Sequence, residues 1–484
     1  MPSLEVHLYG IIVGELIGDS FRDFDFVANR EAINKFGVGS TVLSESVPLL
    51  PLQPRGKAGR RRNFFDELLP EGVTRQRLAE RARLDTTDTL GLLTVYGRDV
   101  AGAVQIFEPN GADLAESPQA IPLPTAKVAE LLARVAEFPL GNAPSSGKAS
   151  LAGVQEKVLL ALVDGRWAQC LYGYPSTHII KPVSRSHPDM IYNEEYVSRI
   201  ARALGLAPFA TWIETFDGND ALVIERYDRD DSTAGRRLHQ EDFNQILGAS
   251  GADKYQEHGG KVSLVRVASV VASAEGRPGL ERLLAMVTLT VAVGNLDMHA
   301  KNISLLHPQD GTARLAPAYD VVPLTHYPGV DGHLAMSIND EYVHARLTGS
   351  DLAAEAGRWG LSADRAHRIL KQVVQVIGFT VEQEQPHVLA VPGLPAQIHS
   401  FTQRLDTDEL PGVGQMRGPR RCESSRGWAK CGGPGGARAP GGGIEPPLTD
   451  SKSAVLPLDD PGLVAYPKTL GGHHLKCMGF QWRT

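Results

Sequence analysis

The hydrophobic period of this chain changes part-way along it, and that change limits the architectures open to it. From Ser150 to about Asp230 the apolar residues fall in strand-length runs, within KVLLALVDGRWAQCL, THIIKPV and ALVIERYD. Beyond Glu241 they recur mainly at helical spacing. Asp164-Gly165 splits the first run, a dipeptide suited to the positive φ angles of a tight hairpin. Between the second and third runs Val197, Ile200, Ala201 and Leu204 share one helix face. The helical part is interrupted from Asn302 to Val322. The pattern predicts an α+β, bilobal molecule, with a small β-rich lobe ahead of a larger, mainly α-helical one.

At 484 residues the chain is too long for one ordinary core. Residues 1–109 read as a separate α+β domain: short apolar segments, a helical stretch NFFDELLPEGVTRQRLAERARL, and a strand-like AGAVQIFEP. Residues 110–148 read as a linker with a helix of its own, Thr125 to Glu137. The main body is expected over 149–410, divided into a small lobe at about 149–230 and a helical lobe at about 231–410. From 411 to 484 there is no apolar period, and glycine runs predict a disordered Gly/Pro-rich tail. That tail reads either as an ordinary flexible extension or as read-through or a frame change past Leu410.

A formal net charge of -7 with 42% hydrophobic and 22% charged residues gives no global basic excess to signal nucleic-acid binding. The basic stretch RGKAGRRR, Arg55 to Arg62, reads as a solvated loop, with contact to DNA phosphates as the rival. Glu5 and His7 stand where a secretion signal would need apolar residues. The longest apolar run, Leu283 to Gly294, is shorter than the roughly 20 residues that span a bilayer. Of the cysteines only Cys170 lies in the main body, and Cys422, Cys431 and Cys477 show no metal-type spacing. No membrane helix and a reducing, cytoplasmic location are therefore expected.

The chemistry concentrates in GNLDMHAKN and the twenty or so residues after it. NISLLH is a strand candidate, QDGT a turn and ARLAPAY a returning strand, so a hairpin would bring Asn302 and Asp320 to one open end. Two oxygen ligands there suit Mg²⁺, which takes one or two protein oxygens plus nucleotide phosphates. Asp297 lies five residues before Asn302 on a loop that begins at Gly294. An Asp that accepts a hydroxyl proton, an Asn five positions on and a second Asp beyond a hairpin is the logic of kinase catalysis. His299 and Lys301 sit between them, to contact phosphate or to support the loop. Lys181, ending THIIK, is the candidate phosphate contact, and Glu194 at the start of the next helix its ion-pair partner or an N-terminal helix charge. Gly153 in LAGVQEK would let backbone amides approach phosphates. Main-chain groups of Glu225 and Tyr227 are placed to meet an adenine edge.

Together these residues resemble the HipA family of bacterial toxin kinases over roughly residues 4 to 400. The resembling stretches, in the family's order, are FFDELLPEG, SLAGVQEK, STHIIKP, NEEYVSRIARALGL, ALVIERYDRD, RLHQEDFNQILG, KYQEHGG, GNLDMHAKNISLL and LAPAYDVVPL. The resemblance implies a protein-kinase-like fold and phosphorylation of serine or threonine from ATP with Mg²⁺. It implies Asp297 as proton acceptor, Asn302 and Asp320 as metal ligands, and Lys181 on the phosphates. The loop Ala152, Gly153, Val154, Gln155, Glu156 and Lys157 would cover the phosphates, and Glu225, Arg226 and Tyr227 would form the adenine hinge. Gln240, His299 and Tyr319 would complete the pocket, and Ser150 matches an autophosphorylated serine that switches the kinase off. A dianion there would be repelled by the ATP phosphates and compete for their donors. The implied partners are a HipB-type helix-turn-helix antitoxin, DNA reached mainly through it, and a protein substrate such as an aminoacyl-tRNA synthetase. Two rival readings stay open: an impaired homologue acting only as a co-repressor, and a small-molecule kinase with the same catalytic spacing.

Overall fold

The structure, a computed structural model, describes residues 3–18, 23–109, 117–137, 139–141, 155–230 and 236–406. The first domain is built on strands β1 (Ser3–Leu8), β2 (Ile11–Ile17), β3 (Asp25–Ala28) and β4 (Val104–Phe107), in the sheet order β3-β2-β1-β4. Leu4, Val6 and Leu8 alternate inward along β1, as a half-buried strand requires. Helices α1 (Arg30–Phe36), α2 (Ala58–Asp66), α3 (Gly72–Ala82) and α4 (Thr89–Tyr96) complete the domain, and Phe64 and Phe65 of α2 are fully buried in its core with Phe26. The stretch expected as one helix is thus two. Pro70 lies between α2 and α3, where it can donate no helical hydrogen bond, and Gly72 takes φ 55. The basic stretch is not a solvated loop either: Arg55–Lys57 is a 3₁₀ turn and the rest enters α2. Arg61 is buried and clasps Asp25 through two bonds of 2.6 Å, so it is an internal strut.

A second sheet carries six strands in the order β5-β7-β6-β8-β10-β9. They are β5 (Gln119–Pro122), β6 (Val158–Val163), β7 (Arg166–Leu171), β8 (His178–Pro182), β9 (Thr211–Phe216) and β10 (Asn219–Glu225). The segment expected as a linker supplies the edge strand β5 and helix α5 (Thr125–Ala133), whose Val128, Leu131 and Leu132 cover this sheet. The hairpin β6–β7 turns at Asp164 and Gly165, with φ 48 and 72 as the dipeptide predicted. Strand β9 escaped the sequence reading because only Thr211 and Phe216 at its ends are buried. Helix α6 (Met190–Ala203) buries the predicted face of Val197, Ile200 and Ala201.

The larger lobe opens with β11 (His239–Asp242), α7 (Phe243–Leu247) and α8 (Gln256–Gly259), followed by α9 (Leu264–Val293). Helix α9 is interrupted at Gly276, φ 68, two residues before Pro278, and from Leu283 to Val293 it is buried on every side. A helix apolar all round can only be a central one. Around it lie α10 (Gly349–Arg358), α11 (Ala363–Gln383) and α12 (Leu394–Leu405). The interruption in this lobe is more than one hairpin. Strand β12 (Ser304–His307) pairs with β13 (Arg314–Leu315) on one side and β11 on the other, and β14 (His333–Ile338) with β15 (Glu341–Val343) forms a second hairpin. ARLAPAY stays in the sheet for two residues only, because Pro317 brings no N–H to the ladder. The fold is α+β and bilobal. Among the described residues no helix is long and apolar enough to cross a membrane.

Candidate active site

A cleft of about 1740 Å³ lies where the six-stranded sheet, the first domain and the helical lobe meet. One wall of it begins where α9 ends. Gly294 takes φ 72 and reverses the chain, and a Cβ there would lie 2.5 Å from Thr325 Oγ1, so the position has no room for a side chain. Asn295 then accepts the N–H of Asp297 at 2.9 Å. The Asp297 carbonyl accepts the His299 N–H at 2.8 Å and the Asn302 side-chain amide at 2.8 Å. These bonds hold the loop closed and leave the Asp297 carboxylate 44% exposed to the cleft. The Tyr255 hydroxyl donates to its Oδ1 at 3.2 Å, and His299 Nε2 stands 3.8 Å from Oδ2. Burial holds the His299 imidazole below its usual pKa.

Asp320 enters the same cleft from beyond β13, in the left-handed region at φ 55. Tyr319 fixes that approach: its hydroxyl donates to the Lys301 carbonyl at 2.7 Å and lies 2.5 Å from Ser304 Oγ. Across the cleft, Lys181 on β8 reaches both lobes. Its ammonium bonds Glu194 of α6 at 2.7 and 3.0 Å and Asp320 at 2.8 Å. Lys181 and Glu194 are 6% exposed, whereas the Asp320 side chain is 42% exposed. Burial opposes charge on Lys181, but the two carboxylates override it and raise its pKa, so it stays protonated. Burial also opposes charge on Asp320; Lys181 prevails and holds that carboxyl at about 2. Lys157 is lowered to about 8, first by burial and then by the Lys181 charge.

This donor set suits a nucleotide with Mg²⁺. The Asn302 amide nitrogen is already committed to Asp297, which leaves its oxygen, together with the Asp320 carboxylate, as two hard ligands. Lys181 and Lys157 line the same cleft, where two ammonium groups suit phosphate oxygens.

The sequence matches the HipA N-terminal domain over residues 4–107 and the HipA-like C-terminal domain over residues 149–379. The protein Y4mE of Sinorhizobium fredii is 33% identical over 368 residues, covering 73% of this chain and 86% of its own. The chain belongs to the HipA family. The serine/threonine-protein kinase toxin HipA of Shewanella oneidensis is 28% identical over 426 residues, covering 84% of this chain and 94% of its own. A solved complex of HipA, HipB and operator DNA from Shewanella oneidensis matches with a TM-score of 0.69 at 26% identity, covering 83% of this chain and 97% of that one.

The other residues expected in this HipA homologue's site divide into three groups. Gln155, Glu156, Lys157, Glu225, Tyr227, Gln240 and Tyr319 all line the cleft. Tyr227 donates its hydroxyl to Gln240 and its ring lies 5.5 Å from that of Tyr319, tilted by 34°, giving the pocket an aromatic wall. Arg226 borders the cleft but spends its guanidinium on Asp228, Ser176 and the Val100 carbonyl, in the joint with the first domain. The N–H groups of Glu225 and Arg226 are taken by Ala210 and Thr177, which removes the Glu225 N–H from any adenine contact. Ser150, Ala152, Gly153 and Val154 lie outside the described residues, as does everything beyond 406.

Lys301 supports the loop rather than phosphate. Its ammonium is bound by Glu67 and, at 2.7 Å, by Glu71, both from the turn between α2 and α3. Sequence reasoning gave no role to Asn295, Tyr255, Glu67 or Glu71. The last three lie in FFDELLPEG and KYQEHGG, stretches that resemble the family but have no period or motif spacing of their own.

Proposed function

We propose that this chain is the toxin of a toxin–antitoxin pair, a kinase that transfers the γ-phosphate of ATP to serine or threonine of a protein. The observation that carries the reading is the buried Lys181 ammonium, held by Glu194 and Asp320 in the cleft that also receives Asp297 and Asn302. Asp297 accepts the proton of the attacking hydroxyl, from a carboxylate that its loop presents to the cleft. Lys181, kept charged and in place by Glu194, pairs with phosphate oxygens. Asn302 and Asp320 would hold Mg²⁺, which neutralises developing phosphate charge when bound. Gln155, Glu156 and Lys157 cover the phosphates, a role the reading extends to Ala152, Gly153 and Val154, and the main chain of Glu225 and Tyr227 borders the adenine.

The reading extends to autophosphorylation at Ser150 and to a translation component, such as an aminoacyl-tRNA synthetase, as substrate in the cytoplasm. A HipB-type antitoxin as partner, with co-repression on operator DNA, is supported by the similar solved complex, which contains HipB and its operator. The test is Mg²⁺-dependent label transfer from γ-labelled ATP. Asp297→Asn should lower it by at least about a hundredfold while nucleotide binding persists. Undiminished transfer in that variant would remove Asp297 from the mechanism.

A further inference from the structure

Glu67 and Glu71 stand on either side of Pro70, in the turn between α2 and α3 of the first domain. Both cross the joint into the helical lobe. Glu67 and Lys301 are 4% and 5% exposed and form a direct ion pair. Glu71 Oε1 lies 2.7 Å from Lys301, and its Oε2 lies 2.8 Å from Lys254. The second Glu67 oxygen accepts the Gly251 N–H at 3.2 Å, at the start of the turn that carries Lys254.

What these two lysines adjoin gives the contacts their significance. Lys301 directly precedes Asn302, and its carbonyl takes the Tyr319 hydroxyl next to Asp320. Lys254 directly precedes Tyr255, whose hydroxyl donates to Asp297. One carboxylate pair therefore anchors the backbone beside the metal-ligand side of the loop and the hydroxyl that touches the base. We propose that Glu67 and Glu71 are positioning residues for phosphoryl transfer, through which the first domain sets the orientation of Asp297 and Asn302. This inference rests on the kinase reading above. A displacement of about 1 Å at a reacting group is enough to cost about a hundredfold in rate. Buried ion pairs with fixed partners are a means of preventing it.

The test uses the full chain with Glu67→Gln and Glu71→Gln, which keep side-chain size and remove the charge. Turnover of Mg²⁺-ATP is measured beside calorimetric binding of Mg²⁺-ADP and the thermal midpoint. The expected result is a kcat at least about tenfold lower in each variant, with the nucleotide Kd changed less than about threefold and unfolding still cooperative. Should either fail to fold, Lys254→Met cuts the arm to Tyr255 from the other end, and Tyr255→Phe removes only its hydroxyl; both should show the same split. Wild-type kcat in the folded variants, or a change confined to nucleotide affinity, overturns the inference. Failure of the kinase reading looks different: wild type and Asp297→Asn would then turn over ATP equally.

Discussion

Replacing Lys181 by Met should separate what this ammonium does for the fold from what it does for chemistry. Its three bonds go to Glu194, twice, and to Asp320. Asp320 is 42% exposed and can turn to water, but Glu194 is 6% exposed and cannot. Removing one partner of such a buried pair costs about 3–5 kcal/mol, because the other charge is stranded. At about 2 °C per kcal/mol for a protein larger than a single small domain, the thermal midpoint should fall by about 6–10 °C. Adding Glu194→Gln removes the stranded charge and should recover at least about half of that loss. Label transfer from ATP should stay at least about a hundredfold down in both variants, since neither restores the cation for the phosphates. Thermal denaturation and label transfer on the same preparations decide it. A double variant no more stable than Lys181→Met would refute the buried-pair argument. Recovered transfer in the double variant would refute the phosphate role.

Two further perturbations probe the frame of the site. His239 donates through Nε2 to the Leu43 carbonyl at 2.7 Å and so accepts the Ala103 N–H at Nδ1, 3.4 Å away, in the joint between the first domain and β11. Burial, then His307, depress its pKa to about 3. A depressed folded pKa gives stability that is present above about 6.5 and lost as pH falls. By pH 4.5 the loss is about 2.5–3 kcal/mol, measurable by denaturant unfolding, and His239→Gln should remove that part of the pH dependence. An unchanged slope in the variant would show that another group titrates. Gly294→Ala meets both a positive φ of 72 and Thr325 Oγ1 at 2.5 Å. It should cost at least about 2 kcal/mol by thermal unfolding, and a neutral result would mean that the loop can be repositioned.

How much the sequence disclosed depends on the range of the interactions. Asp164-Gly165 and the face of Val197, Ile200 and Ala201 were legible because a hairpin turn and an amphipathic helix are written in neighbouring residues. Asp297, Asn302 and Asp320 were legible because their spacing matches kinase logic, and Lys181 because it ends a strand run; the structure brings all four to one cleft. The expected route for Asp320 was a long returning strand; the structure uses two paired residues and the Tyr319 hydroxyl instead. Edge strands β5 and β9 were missed because their partly or fully exposed residues carry no apolar run of the kind that marks a strand. Arg61 was misread because a buried arginine and a solvated one look alike until the partner is known, here Asp25.

The same limit explains why the contacts between the first domain and the main body were not legible in the sequence. Its joint with the main body is made of charges as well as apolar surface. Asp99 is fully enclosed and is held by Arg229 at 2.9 Å, Arg237 at 3.0 Å and Ser176 at 2.6 Å. Glu241 on β11 accepts from Ser44 at 2.6 Å and from the Glu45 N–H at 2.8 Å. The arginines' attraction keeps the Asp99 carboxyl ionised against its burial. Groups of this kind tolerate burial only with every partner in place, so each contact depends on the others across the joint. The first domain and the main body therefore meet through buried ion pairs as well as through the apolar core that Leu140 and Leu159 share with the first domain. The Glu67–Glu71 contact to Lys301 is the part of this joint that reaches the loop of Asp297 and Asn302.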